Sequence, residues 1–373
     1  MPEPHDGYRI HIISNTHWDR EWRFSFEGTR LRLIDVVDKL LDLFESDPRF
    51  RHYHFDSQTI ALEDYLEVRP ENRERIAQAV ASGKLLIGPW YSLPDEFMVA
   101  GESLVRNLLM GHRVAEQLGG VMKVGYNPFS FCGQNSQIAQ LYNGFDIDTI
   151  IFYRGIGGEG DGKDFYLEAA DGSRVLNIRL TQRTRHNFLY LVGRAMYFGR
   201  LPEQRNHYAI EESGRICRFA EDELEARDFE MIKEAYQWRE DLLTERFEKF
   251  VEAMKVPATT RHLIGMDGYD SSAPSQFTTK IIELARERLG YDIVHDSLPN
   301  TVAAIQREAP DDLPVVRKEM RHKRSTPIGT LSARYWIKQA NREAEFVLQR
   351  AAEPFCVLAG ACGVFDYPET SLR

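Results

Sequence analysis

The chain first offers chemistry at SNTHWDREW, residues 14–22, directly after the apolar run YRIHII. In extended backbone, residues two apart point to the same side. His17 and Asp19 therefore project together at the carboxyl end of a strand, where ligands collect in α/β folds. One imidazole and one carboxylate suit a borderline divalent cation such as zinc, although tetrahedral zinc takes at least three protein donors. The same pair in a polar turn would only hydrogen-bond to itself. Trp18 and Trp22 stand beside it, and large aromatics next to polar ligands suit the apolar face of a sugar ring.

Three further segments carry reactive side chains. GPWYSLPDEFMVAGESLVRN (88–107) brings Trp90 to a strand end and puts Asp95 and Glu96 in the loop that follows; these carboxylates read equally as ligands, acids or solvating charges. GYNPFSFCGQNSQIAQLYNGFDIDTIIFYRG (125–155) delivers Arg154 to the end of its last strand, while its loop Asn127–Gln134 holds no Asp or Glu. GMDGYDS (265–271) supplies Asp267, Tyr269 and Asp270, where a buried carboxyl would serve as a general acid and an Asp-Gly turn is the plainer alternative.

The elements that must hold these residues alternate. A strand at Tyr8–Ser14 precedes a helix over 29–46, whose apolar positions Leu33, Val36, Val37, Leu40, Leu41 and Phe44 recur three and four apart. A strand HYHFDS, a helix from Pro70 to Gly83, the strand LLIGPW and a helix Ser103–Leu118 follow. MKVGY, a helix at Gln137–Tyr142, and strands at Thr149–Phe152 and Arg174–Leu180 continue the series. A charged helical stretch from Glu221 to Met254, the strand HLIGM, a helix at Thr278–Leu289 and the strand DIVH complete it. This is the pattern of a mostly parallel sheet or irregular β/α barrel with outer helices. From Ser325 the pattern becomes continuous helix. The expected division is therefore an α/β body over 1–315 and the beginning of a helical bundle over 316–373. The Gly-rich GIGGEGDGKD (155–164) lacks the Lys-Ser/Thr of a phosphate loop.

Composition narrows the classes. The 373 residues are 43% hydrophobic and 28% charged with a formal net charge of -10, and the basic residues are interspersed rather than massed. That argues against nucleic acid or an anionic membrane surface as partner. No apolar run approaches the roughly 20 residues of a membrane span. The start MPEPHDGYRI has neither a basic nor an apolar leader region, and Cys132, Cys217, Cys356 and Cys362 are scattered. Free thiols in a reducing cytoplasm are the expected state. A homo-oligomer is compatible with all of this.

Taken together, HWDREW, GPWY…PDE…GESLVRNLL, GY.P.S, YNGFDID…R and GMDGYD occur in the order seen in glycoside hydrolase family 38, the retaining α-mannosidases and mannosylglycerate-type hydrolases, which the chain resembles from residue 8 to 300. VHDSLPNTVAAI and SARYWIKQANREAE…LQRAAEPF extend the resemblance, the latter as the start of that family's three-helix bundle. The resemblance implies that His17 and Asp19 are zinc ligands, that Trp22 lines the mannose subsite, and that Arg154 lies near the nucleophile. It further implies Asp270 as general acid/base, with Asp267 the weaker choice. Zinc would hold two sugar hydroxyls while a carboxylate attacks the anomeric carbon and an acid protonates the leaving oxygen, through a glycosyl-enzyme intermediate. Trp90 and Tyr269 are further candidates for substrate contact, and an α-mannoside or mannosyl-oligosaccharide is the expected substrate.

The chain departs from this pattern twice. The family's nucleophile, an Asp that is also a zinc ligand, lies in a Pro-Asp-Ser-Phe-Gly-like loop; here the loop is Pro128-Phe129-Ser130-Phe131-Cys132-Gly133. Counting from Tyr126 puts Phe129 at the Asp position, and counting back from Tyr142 puts Ser130 there. The remaining zinc-ligating His is expected in an HPHDS-like segment beyond Arg373, as are β-rich C-terminal domains. The expectation is an α-mannosidase-type domain of weak or no activity, since losing a covalent nucleophile removes several powers of ten in rate. Asp95 is the candidate stand-in for the missing carboxylate. A non-catalytic carbohydrate-binding relative is the alternative. A polysaccharide deacetylase would need an HxxxH ligand pair, which is absent.

Overall fold

The computed structural model describes residues 7–22, 24–128, 130, 132–155, 163–180, 184–198, 238–321 and 332–368. Two five-stranded sheets form its centre. In the first, β1 (Arg9–His17) lies between β2 (Tyr53–Phe55) and β8 (His262–Asp270), β3 (Leu85–Leu86) extends β2, and β9 (Asp292–His295) pairs with the first half of β1. All of these pairs are parallel. The second sheet runs β10 (Val315–Val316), β6 (Phe165–Glu168), β7 (Arg174–Arg179), β5 (Thr149–Phe152), β4 (Gly125–Tyr126), parallel except between β6 and β7. The expected mixed α/β architecture with a mostly parallel sheet is observed.

Parallel strands buried on both faces need apolar side chains on both. Ile10, Ile12 and Leu263 pack under the helices Leu243–Lys255 and Thr278–Leu289, while Ile13, Ile264 and Met266 face Tyr126, Ile151 and Leu298. Two of the predicted long helices form at the expected positions. Phe26–Ser46 is capped by Ser25, whose hydroxyl accepts from Gly28 N at 3.4 Å, and it buries the six predicted apolar positions. Gly101–Gln117 has no side-chain cap, and the Ser103 hydroxyl in its first turn donates instead to Glu345.

Local patterns misled in three places. Ile60–Val68 is a helix in the stretch between the HYHFDS strand and Pro70 for which no element was expected, and the helix expected from Pro70 is a 3-10 turn Pro70–Asn72 followed by Arg73–Ala81. β6 was unexpected. Most important for function, β8 does not end at Met266 in an Asp-Gly turn. It continues to Asp270 because nine successive registers with β1, from Arg9↔His262 to His17↔Asp270, override the local turn preference. Gly268 permits this approach: a Cβ there would lie 1.8 Å from the Asn15 carbonyl oxygen.

The α/β body continues beyond residue 316. β10 joins β6, and Met320 packs in the core and exchanges backbone hydrogen bonds of 3.0 Å with Gln134. Past residues 322–331, which lie outside the described residues, the helices Tyr335–Val347 and Glu353–Ala361 bury none of their side chains. They touch the body through polar contacts: Glu345 accepts from Ala100 N and Ser103 Oγ, and Arg106 pairs with Glu353 at 2.7 Å. Residues 221–237 of the expected charged helix and 156–162 of the Gly-rich loop also lie outside the described residues. Among the described residues, no helix is long and apolar enough to cross a membrane.

Candidate active site

The register of β1, β2 and β8 decides which side chains meet. Paired residues of parallel neighbours share a face, so His17, at the end of β1, stands beside Asp270 of β8. On its other side, one step beyond the Thr16↔Phe55 pair, comes Asp56. Asp267, three residues before Asp270, falls on the opposite face, where Thr278 Oγ1 donates to it at 2.5 Å. Burial pushes its carboxyl up to about 6.

His17 is the centre of the cluster. Its Nε2 lies 3.1 Å from Asp19 Oδ1 and its Nδ1 lies 2.7 Å from Asp56 Oδ2. Burial alone would lower this imidazole, but Asp56 and the hydrogen bond to Asp19 outweigh burial and Arg185, raising it to about 9. Asp56 is itself fully buried, and its Oδ2 accepts from Trp18 N and from Gln58 Nε2, each at 2.7 Å. Asp270 is ion-paired with the buried Arg185, and His186 Nε2 lies 3.7 Å away. Burial opposes ionisation of Asp270, yet Arg185, with His186 and His17, holds its carboxyl below the usual range. The His186 ring is in turn pushed down to about 3, by burial and then by Arg185.

The other sequence candidates are distributed as follows. Trp22 is 68% exposed near the end of β1. Tyr269 packs against the rings of His186 and Tyr190, with centroids 4.7 and 5.7 Å away. Arg154 is half-buried with its guanidinium over the Tyr153 ring. Trp90 is wholly buried, and its indole donates to Tyr142 Oη at 3.1 Å, so it is a packing residue with no face open to a sugar. Asp95 caps Phe97 N at 3.4 Å and lies beside the Cys132 thiol; no hydrogen bond or ion pair joins it to His17, Asp19 or Asp270. Its neighbour Glu96 is the buried one, accepting from Asn127 Nδ2 at 2.9 Å and Asn135 N at 2.7 Å, and burial pushes it up to about 8.

In the loop that Glu96 holds, Ser130 is 1% exposed and its hydroxyl has no hydrogen-bond partner; Phe129 lies outside the described residues. Nearby, both ring nitrogens of the buried His54 and the hydroxyl of Tyr126 are also without partners, the two rings meeting edge-on at 4.5 Å. Such unsatisfied polar atoms are rare in a dry core.

The donors at 17 and 19 suit a metal in part. Two ligands on one tetrahedral zinc stand roughly 3.3 Å apart, given bonds near 2.0 Å, and His17 Nε2 and Asp19 Oδ1 are separated by 3.1 Å. Among the described residues, however, no three His, Cys, Asp or Glu side chains are arranged to hold a cation. Sequence reasoning missed Asp56, Arg185 and His186. The His54-Phe55-Asp56 run carries the same alternation as His17-Trp18-Asp19 and could have been read; Arg185 and His186 lie in a 3-10 turn with no periodic signal.

Residues 7–156 match the family described as glycosyl hydrolases family 38 N-terminal domain. A Halalkalibacterium halodurans protein named "Putative mannosylglycerate hydrolase" is 33% identical, aligned over 93% of this chain and 36% of its own length. The structure is similar to that of an alpha-mannosidase from Enterococcus faecalis V583, with a TM-score of 0.80 and 29% identity over 98% of this chain and 37% of that one. It is also similar to a protein of glycosyl hydrolase family 38 from Enterococcus faecalis, with a TM-score of 0.68 and 27% identity over 98% of this chain and 34% of that one. The chain thus spans about a third of the length of the relatives it matches.

Proposed function

We propose that this chain, which carries the N-terminal domain of glycoside hydrolase family 38, provides the catalytic face of an α-mannoside hydrolase that retains configuration and works with zinc. The observation that carries the reading is the convergence of His17, Asp19 and the Asp270–Arg185 pair at the carboxyl ends of adjacent parallel strands. His17 Nε2 and Asp19 supply two zinc donors, and the others are not among the described residues. When bound, zinc would hold sugar hydroxyls and steady the distorted ring.

The protein's own groups act around that position. Trp22 offers its exposed face to the sugar, and Tyr269 and Arg154 border the substrate. Asp270 takes the acid/base place, under one condition: while Arg185 neutralises it, the carboxyl is ionised, so protonating the leaving oxygen requires that pair to loosen as substrate enters. Substrate class is an α-mannoside, mannosyl-oligosaccharide or mannosylglycerate, and we assign the cytoplasm as compartment from the scattered cysteines.

Hydrolysis of an aryl α-mannoside, with zinc content measured on the same sample, tests the reading. Turnover that falls at least tenfold in Asp19→Ala and Asp270→Asn supports it, and equal rates in all three proteins contradict it. One observation favours a second reading. Where the family resemblance calls for a nucleophilic Asp, Ser130 is buried and no carboxylate is described, which fits a relative that binds mannosides without cleaving them. Mannose binding without turnover would select it.

A further inference from the structure

The end of β2 carries an arrangement that the reaction outlined above leaves unused. His54-Phe55-Asp56 repeats the alternation of His17-Trp18-Asp19 on the neighbouring parallel strand, which sets Asp56 opposite His17. Asp56 has φ of 50° and is followed by Ser57 at 55°, a left-handed backbone that disfavours residues with a Cβ. Strain of this kind persists where the surroundings require it, and it gathers at functional sites. Here the surroundings are specific. Oδ2 receives Trp18 N and Gln58 Nε2, each at 2.7 Å, and lies 2.7 Å from His17 Nδ1. Gln58 Nε2 also donates to the Trp18 carbonyl at 2.8 Å, fixing the turn between His17 and Asp19.

A buried carboxylate against one imidazole nitrogen orients the ring and leaves the other nitrogen for a ligand. We propose that Asp56 is the positioning residue of this site: it holds His17 through Nδ1 so that Nε2 is presented beside Asp19 as a donor to a divalent cation. The inference rests on the zinc-assisted reading given above and deepens it. Asp56 touches neither substrate nor metal in this arrangement, because it lies on the far side of the ring from Nε2. Its other oxygen, Oδ1, is buried and accepts no hydrogen bond.

The test uses Asp56→Asn and Asp56→Gly in the whole chain, the glycine being suited to the positive φ so that the backbone is kept. Zinc affinity, by competition with a chromophoric chelator, is expected to fall about 10- to 100-fold in both, and added formate is expected to restore part of it in Asp56→Gly. In the metal-free proteins, the 15N resonance of His17 Nδ1, assigned through His17→Gln, is expected to shift. Wild-type zinc affinity in both variants, or an unmoved Nδ1 resonance, overturns the proposal. If the wild-type chain binds no zinc, the zinc reading fails while the nitrogen resonance still decides what Asp56 does.

Discussion

Arg185 and Asp270 show how one residue pair governs the site. A guanidinium with 1% side-chain exposure cannot be left without its carboxylate cheaply; breaking a buried pair from one side typically costs about 3–5 kcal/mol, and the partial exposure of Asp270 lowers that to about 2–3 kcal/mol. Asp270→Ala should therefore lower stability by about that amount in urea unfolding. Arg185→Met should shift the alkaline limb of any pH–rate profile upward, because the released carboxyl keeps its proton to higher pH. Glu96 sets a pH dependence of its own. Its folded value of about 8 lies above the ordinary 4.5, so the native state holds a proton that the unfolded chain releases. Its contribution is present below about pH 4.5 and is lost as pH rises to about 8. Asp267, raised to about 6, acts with the same sign over a narrower window. Relative to Glu96→Gln, the melting temperature of the wild-type chain should fall as pH rises from 5 to 8. At this scale the pairing of His17 with Asp19 was legible from their spacing of two, although β1 ends at His17 and a turn brings Asp19 to it. Asp56 had the same spacing without a tryptophan-rich context to draw notice.

At the scale of elements, the site exists because β1 and β8 stay in register to their last residue. Gly268→Ala puts a Cβ 1.8 Å from the Asn15 oxygen, which overpacking data translate into a loss of about 3 kcal/mol or a failure to fold. Gly101→Ala, where a Cβ meets nothing within 4 Å, serves as the neutral control. Differential scanning calorimetry of the two variants checks the contrast. Asp-Gly between HLIGM and Tyr269 reads locally as a turn, and only pairing with a strand some 250 residues earlier converts it to strand. Sequence periodicity does not carry that information. The long amphipathic helices were legible for the opposite reason, since their spacing alone defines the buried face.

Across the whole molecule, two kinds of surface meet. The α/β body is packed, whereas the helices Tyr335–Val347 and Glu353–Ala361 leave Trp336 at 68%, Phe346 at 66% and Phe355 at 68% exposed. Helices held by polar contacts and lacking buried apolar area open readily. Their amides should exchange with deuterium well before those of β1 and β8, and Phe346→Glu with Phe355→Lys should reduce dye binding to exposed apolar surface without moving the main unfolding transition. The alternation of elements was enough to read the body's class. The loop around Ser130 could be read only as a departure, because no local pattern says which carboxylate would take over. The most direct test of the central claim is 1H NMR of aryl α-mannoside hydrolysis by the zinc-supplemented chain: α-mannose should appear first, at a low rate that Asp19→Ala reduces at least tenfold, whereas β-mannose first, or a rate indifferent to Asp19, would contradict it.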